Sequence, residues 1–428
     1  MKILMMTNTY KPHVGGVARS VDSFTGEYRR LGHRVMVVAP EFEGTPEEEE
    51  DVVRIPAIQN FNGSDFSVRL PIPWGLNRRL EKFQPDIVHS HHPFLLGDTA
   101  LRVRNHFGIP IIFTNHTRYE QYTHYVPLDS PLLKSFIIKL AVGYCNLVDH
   151  IFAPSESIAR LLRSREVQTP IDIVPTGVDV DYFAEGDGKG CRRRAGVPED
   201  HFVVGHVGRL AREKNLLFLA RGILKFMKDH ENTWFMVAGR GPEERTIKAL
   251  FTGAGLEHRL VHLGKLQGRE LIDFYHAMDV FAFASQSETQ GMVLTEAMSA
   301  GKPVVAVDAS GVREVVRDGE NGWLLAVEDI DDFAGALSRV LLSDPEQRRS
   351  LVQGARHTAE RFSITNTAEK ALRIYGKLIE KEYEEQDLED TLWSEARNRL
   401  ETEWQLVRKL IDAGIDTIKE KSGLNGRR

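Results

Sequence analysis

Two carboxylates stand eight residues apart in Glu288-Thr-Gln-Gly-Met-Val-Leu-Thr-Glu296. The first follows the apolar run Val280 to Ala284, which reads as a buried strand. The second lies in Met292 to Ala300, a helix pattern closed by Gly301. A strand, a polar loop with a glycine and a helix start together make an anion cradle. The first N–H groups of a helix have no internal partner and carry partial positive charge, and Gly291 lets a ligand approach the backbone closely. Carboxylates flanking such a cradle suit a ligand with hydroxyls at both ends and a diphosphate between them. On spacing alone, a solvated Glu288 and a helix-surface Glu296 explain the pattern at least as well.

A pair of cations lies elsewhere. Arg209 and Lys214 occur in Gly208-Arg-Leu-Ala-Arg-Glu-Lys-Asn215, between the strand pattern Phe202 to Val207 and an apolar helix from Leu216. Two fixed cations can take up the charge of a leaving diphosphate, although either alone would be a surface residue by default. Near the N-terminus, Gly15-Gly16 separates the strand pattern Lys2 to Thr7 from a helix running to about Leu31. Paired glycines there either bring N–H groups against a phosphate or make a simple turn. The G-x-G-x-x-G fingerprint is missing, which argues against a nicotinamide site.

Histidines gather at two strand ends. His89, His91 and His92 close Asp86 to Ser90, and His116 follows Pro110 to Thr114. No carboxylate stands at ligand-like spacing beside them, so a cleft wall fits better than a metal site. The stretch Thr114 to Tyr125 adds Tyr119, Tyr122, His124 and Tyr125. It is too polar for a core helix and suits a pocket for a hydroxylated acceptor or a lipid headgroup.

Strands alternate with helix patterns, which predicts an α/β fold of doubly wound sheets. The 428 residues suffice for two or three domains. A net charge of −6 carries no nucleic-acid signature. Cys145 and Cys191 match no metal or redox spacing and suggest a reducing compartment. Met1-Lys2 leads straight into a strand, and no apolar run reaches the roughly 18 residues of a membrane span. The expectation is therefore a cytoplasmic chain whose membrane contact, if any, is peripheral. Residues 69–165 hold 12 Lys/Arg and 7 Asp/Glu, a net of +5. With the apolar stretch Leu132 to Val148, that balance suits either an anionic inner membrane face or an ordinary solvated helix face. Ala184 to Gly190 reads as a linker. Past Glu384, Trp393, Leu400, Val407 and Gly414 recur every seven residues, with Ala396, Leu410 and Ile411 beside them. This amphipathic helix of roughly 35 residues could pack on the first domain, dimerise or lie on a membrane.

Several of these segments, in this order, resemble retaining glycosyltransferases of family 4. They are the E-x7-E pair, Gly15-Gly16, Gly208-Arg to Lys214-Asn, Gly239-Arg-Gly-Pro-Glu243 and Pro175-Thr-Gly-Val-Asp179. The Thr114 to Tyr125 stretch and His91-His-Pro-Phe-Leu-Leu-Gly97 are similar to the matching elements of bacterial diacylglycerol glucosyltransferases in that family. The resemblance covers roughly residues 1–383. It implies a GT-B fold, two Rossmann-like domains facing across a cleft, with an acceptor-side domain at 1–183 and a nucleotide-sugar domain at 198–362. A crossover helix at 363–383 and a helical extension at 384–428 would follow.

The resemblance also implies roles. Glu288 orients the donor hexose, Glu296 holds the ribose, Arg209 and Lys214 receive the diphosphate, and His116 stands on the acceptor side of the reacting centre. Donor contacts would also come from Gly15, Gly16, Gly208, Gly239, Leu266, Gln290, Gly291, Met292 and Val293. Acceptor contacts would come from His91, Tyr119, Tyr122, His124 and Tyr125. The donor would be a UDP- or GDP-hexose, and no metal or cofactor is implied. The acceptor would be diacylglycerol or a related lipid. Phosphatidylinositol, a polyprenyl-linked glycan and a soluble sugar stay open, as do an epimerase and a non-catalytic nucleotide-sugar sensor. An oligomer through the C-terminal helix is a further possibility.

Overall fold

The computed structural model describes residues 1–13, 15–46, 49–58, 68–69, 74–118 and 131–381. The first domain is built on strands β1 (Lys2–Met6), β2 (Arg34–Pro40) and β3 (Val52–Ile55). A short antiparallel pair, β4 (Ala57–Ile58) and β5 (Val68–Arg69), interrupts them. Then come β6 (Ile87–Ser90), β7 (Ile111–Thr114), β8 (His150–Ala153) and β9 (Ile171–Ile173). Among the described residues the seven long strands form one parallel sheet in the order β3-β2-β1-β6-β7-β8-β9. The second domain holds β10 (Phe202–Val207), β11 (Thr233–Ala238), β12 (Leu260–His262), β13 (Val280–Phe283), β14 (Val304–Val307) and β15 (Gly322–Leu325). These form a parallel sheet in the order β12-β11-β10-β13-β14-β15.

Both sheets are covered by helices on both faces, so their strands are apolar throughout rather than alternating. Ile3 to Met6 and Val280 to Phe283 are fully buried. Each sheet separates two apolar clusters, one per face. The opening helix, Gly16–Arg30, buries Val21, Phe24 and Tyr28 along one stripe against the first sheet.

The order of each sheet reverses once at its centre, between β1 and β6 and between β10 and β13. Parallel sheets open a crevice at the carboxyl ends of the strands at such a point. The segments that follow those four strands are Gly15-Gly16, His91-His92, Gly208 to Lys214 and Glu288 to Glu296. Topology thus brings the chemistry-bearing stretches together in two pairs, one at the switch point of each sheet.

The segment expected to be a linker, Ala184 to Gly190, is packed. Asp179 caps a short helix at Val180–Ala184, and Asp187 caps another at Gly188–Arg194. Its glycines serve close approach rather than freedom, since a Cβ at Gly188 would lie 2.4 Å from the His276 carbonyl oxygen. Arg192, buried, donates to the Ala277 carbonyl at 2.7 Å and to Asp279 at 2.8 Å, fastening this segment to the second domain.

The chain returns to the first domain through the crossover helix, Ile364–Ile379, capped by Ser363. The Val178 N–H bonds the Phe362 carbonyl and the Ile364 N–H bonds the Val178 carbonyl, each at 2.8 Å. A Cβ at Gly177 would lie 2.2 Å from Ile364 Cα, so the Pro-Thr-Gly turn needs glycine for this crossing. The seven-residue pattern from Trp393 to Gly414 and the stretch Tyr119 to Tyr125 lie outside the described residues.

Candidate active site

Most of the residues expected to hold the donor belong to the second domain. After β13 the chain turns through Gly291, whose φ of +76° lies in the left-handed region, and enters the helix Met292–Ser299. Only glycine is unstrained there. A Cβ would also press on Leu294 at 2.8 Å. Met292 and Val293 are half-buried at the helix start, where unpaired N–H groups favour an anion. Gly311, not singled out in the sequence, supports the loop from behind, since a Cβ there would come within 2.7 Å of the Gln290 nitrogen.

Glu288 is bonded directly by the Lys214 ammonium. Burial pushes its carboxyl up, but the Lys214 charge and hydrogen bond outweigh that and hold it below the ordinary carboxylate range. Lys214 ends a single 3₁₀ turn, Arg212–Lys214, and Asn215 at φ +52° starts the next helix, so the ammonium is aimed by a tight backbone. Arg209, exposed, sits earlier in the same loop. The Gly208 and Gly239 loops interlock. A Cβ at Gly239 would lie 1.8 Å from the Gly208 carbonyl oxygen, and Gly239 N–H bonds the Gly264 carbonyl at 2.7 Å. Leu266, half-buried, packs on the second core beside that loop.

Glu296 is buried, and both its oxygens are taken. Tyr275 donates to one at 2.7 Å, and Arg19 of the opening helix bonds the other across the domain boundary. Sequence reasoning missed Arg19. A signal was present: a cation one turn into a helix stands at the end where positive charge is disfavoured, which points to an anionic partner elsewhere. Gly15 caps that helix and Gly16 begins it, with nothing within 4 Å of where a Gly16 Cβ would stand.

Gln290 differs from its expected place. Its side chain is buried and joins the domains: it accepts from Thr176 N–H at 2.7 Å and donates to the Thr176 carbonyl at 2.5 Å. A buried amide needs both a donor and an acceptor partner, and the backbone of the Pro-Thr-Gly turn supplies both. Thr289 donates to the His116 carbonyl at 3.0 Å, and Glu314 accepts from Ser157 N–H at 2.8 Å. The donor loop is therefore stitched to the first domain.

The residues expected on the acceptor side form a histidine group. His91 Nδ1 and His116 Nε2 are 2.9 Å apart and share one proton-mediated bond. Burial, then the neighbouring histidines, hold both well below the usual imidazole range, so both are neutral. His91 Nε2 is buried without a hydrogen-bond partner among the described residues. His92 Nδ1 accepts from Asn8 N–H at 3.1 Å, and His89 bonds Thr114 and Tyr375 at 2.7 and 2.5 Å. Burial lowers both His89 and His92 to about 3. Tyr119, Tyr122, His124 and Tyr125 lie outside the described residues. Among the described residues no cluster of three His, Cys, Asp or Glu side chains could hold a metal ion.

Two Rossmann-like domains with cations and carboxylates converging on one crevice define an enzyme of the glycosyl-transfer class with the GT-B fold. Comparison with known proteins agrees. A profile of Glycosyltransferase Family 4 matches residues 14–182, and one of Glycosyl transferases group 1 matches residues 191–358. An alpha-monoglucosyldiacylglycerol synthase of Streptococcus pneumoniae is 28% identical over 81% of this chain and 79% of its own length. A D-inositol 3-phosphate glycosyltransferase of Stackebrandtia nassauensis is 30% identical over 71% of each chain. Sucrose-phosphate synthase from Thermosynechococcus elongatus superposes with a TM-score of 0.71 at 20% identity, over 88% of this chain and 98% of its own. The chain belongs to glycosyltransferase family 4 and is a hexosyltransferase that uses a nucleotide-sugar donor.

Proposed function

We propose that this enzyme transfers a hexose, with retention of anomeric configuration, from a nucleotide sugar to diacylglycerol, making a glycolipid. The observation that carries the donor half is the Lys214–Glu288 pair beside the helix start at Gly291. Glu288 orients the hexose, and Glu296 receives the ribose hydroxyls. Arg209, Lys214 and the N–H groups at Gly16 and Gly291 to Val293 stabilise the departing diphosphate. Preorganised charge aimed at a leaving group is usually the largest catalytic contribution. No enzymic nucleophile is assigned, and the leaving phosphate takes the acceptor proton. His116, neutral and paired with His91, lines the acceptor side. The chemistry asks for no metal, because the cations supply the positive charge.

The acceptor half is supported by the Thr114 to Tyr125 stretch and by the diacylglycerol named in the pneumococcal relative. Among the described residues no helix is long and apolar enough to cross a membrane. The apolar helix Pro131–Cys145 carries Lys134 and Lys139 and leaves Ile137 and Ile138 partly exposed. That composition supports peripheral docking of the first domain on the inner face of a cell membrane. The relative acting on inositol 3-phosphate keeps a soluble acceptor as the second reading.

The test is a donor-by-acceptor assay on the purified protein. UDP-glucose, UDP-galactose, UDP-GlcNAc and GDP-mannose are each followed for nucleoside diphosphate release, with and without diacylglycerol in mixed micelles. Diacylglycerol-dependent release with one donor is expected. Release with inositol 3-phosphate and none with the lipid would replace the glycolipid reading by the soluble one.

A further inference from the structure

We infer that Arg19 is a donor-site residue of the first domain that exchanges partners when the nucleotide binds, leaving Glu296 for the diphosphate. The inference rests on Glu296 being the ribose carboxylate of the proposed donor site.

Glu296 is a buried carboxylate with both oxygens occupied, one by Tyr275 and one by Arg19. Its side chain is only 3% exposed, so ribose hydroxyls reach its remaining lone pairs only if one of the groups covering it moves aside. Tyr275 is fully buried within the second domain behind it and has no path out. The Arg19 side chain is 38% exposed against 3% for Glu296, and it arrives from the opposite domain. Arg19 is therefore the partner that leaves.

Its destination follows from its position. Arg19 is one turn into the helix that Gly16 begins, and its N–H bonds the Gly15 carbonyl at 3.0 Å. Its Cα is thus fixed beside the Gly15-Gly16 turn assigned to the diphosphate. A guanidinium displaced from a carboxylate there meets phosphate oxygens, which it binds in the same fork geometry. Before the donor arrives, Arg19 neutralises a buried carboxylate that would be costly to leave unpaired. After it arrives, Arg19 adds a cation to Arg209 and Lys214 from the other side of the cleft. The exchange also rewards a ligand that carries both groups. A nucleoside alone displaces Arg19 without offering it a phosphate, and a diphosphate alone leaves it on Glu296.

Calorimetric titration of the full-length protein with UDP and with uridine reads this directly, with GDP and guanosine used in the same way. For Arg19→Gln, which keeps length and removes charge, the ratio of diphosphate to nucleoside affinity should fall about tenfold or more. Nucleoside affinity itself should hold or rise, because its competitor is gone. Arg19→Lys should recover part of the ratio. Thermal melts of both variants establish that the fold is intact. An unchanged ratio, or nucleoside and diphosphate weakening in parallel, would overturn the exchange and leave Arg19 a strut between domains. Wild-type protein that binds neither UDP nor GDP would instead overturn the donor reading, a result separable from the first.

Discussion

The two walls of the cleft hold opposite kinds of polarity. The donor wall carries charges in pairs, Lys214 with Glu288 and Arg19 with Glu296. The acceptor wall carries His89, His91, His92 and His116, all neutral through burial. On the proposed function, the difference matches what each wall would handle. A leaving diphosphate develops negative charge, which fixed cations in a dry site stabilise strongly. A hydroxyl acceptor needs partners that both donate and accept, and a neutral imidazole does both. Charge is thus kept on the side where the reaction creates it.

Removing charge from the donor wall should have the largest effect. Lys214→Ala should lower kcat about a hundredfold or more and leave Glu288 without its cation. Measured at saturating donor and acceptor, a kcat that stays near wild type would remove the distinction between the walls.

Acidification titrates the buried histidines and the paired carboxylate in different pH windows. Folded His89 and His92 have pKa values of about 3, against about 6.5 in the unfolded chain. Between those values the unfolded state binds more protons, so stability is lost as pH falls. From these two histidines, the free energy of urea unfolding should fall by about 3 kcal/mol between pH 6.5 and 5. Glu288 runs in a lower window. Its folded pKa is depressed, so its contribution is present above the unfolded carboxylate value of about 4.3 and lost only below it. His92→Asn should flatten the slope above pH 5. A slope that this change leaves as steep would mean the acceptor wall is not its source.

Glu296→Gln is smaller again. It keeps shape and removes the charge that holds Arg19 and would hold the ribose. Donor KM should rise about tenfold with little change in kcat. A fall in kcat matching that of Lys214→Ala would move Glu296 from binding to chemistry.

Much of this arrangement was legible in the sequence, for a definite reason. Apolar runs such as Val280 to Phe283 dictate buried strands, and the loops after β1 and β6, like those after β10 and β13, must meet at the switch point of their own sheet. Contacts between the domains were not legible. Gln290 sits in the donor loop, yet nothing in Glu288 to Glu296 says that its amide would close on Thr176, 114 residues away. The same holds for Arg19 and Glu296, 277 residues apart. Composition alone does not separate flexibility from close packing in 184–190, where the helix end at His276 and Ala277 leaves no room for a side chain at Gly188.

The smallest effect tests whether the acceptor wall is positioned from outside. Tyr375, on the crossover helix, reaches back to His89 Nδ1 at 2.5 Å and to Tyr28 at 3.2 Å, with its ring stacked on Phe152. Its hydroxyl ties the last described helix to the strand end that carries the histidines. Tyr375→Phe keeps the stacking and deletes one buried hydroxyl, so unfolding free energy should fall by about 1 kcal/mol. The kcat with saturating donor should stay near wild type, because Lys214 and Glu288 are untouched, while acceptor KM should rise modestly as His89 loses a restraint. A loss of kcat on the scale of Lys214→Ala would mean that the crossover helix governs the chemistry and that the two walls do not divide the work. Loss of stability alone, with both KM values unchanged, would make Tyr375 a fastening of the fold and leave the histidine wall positioned by its own sheet.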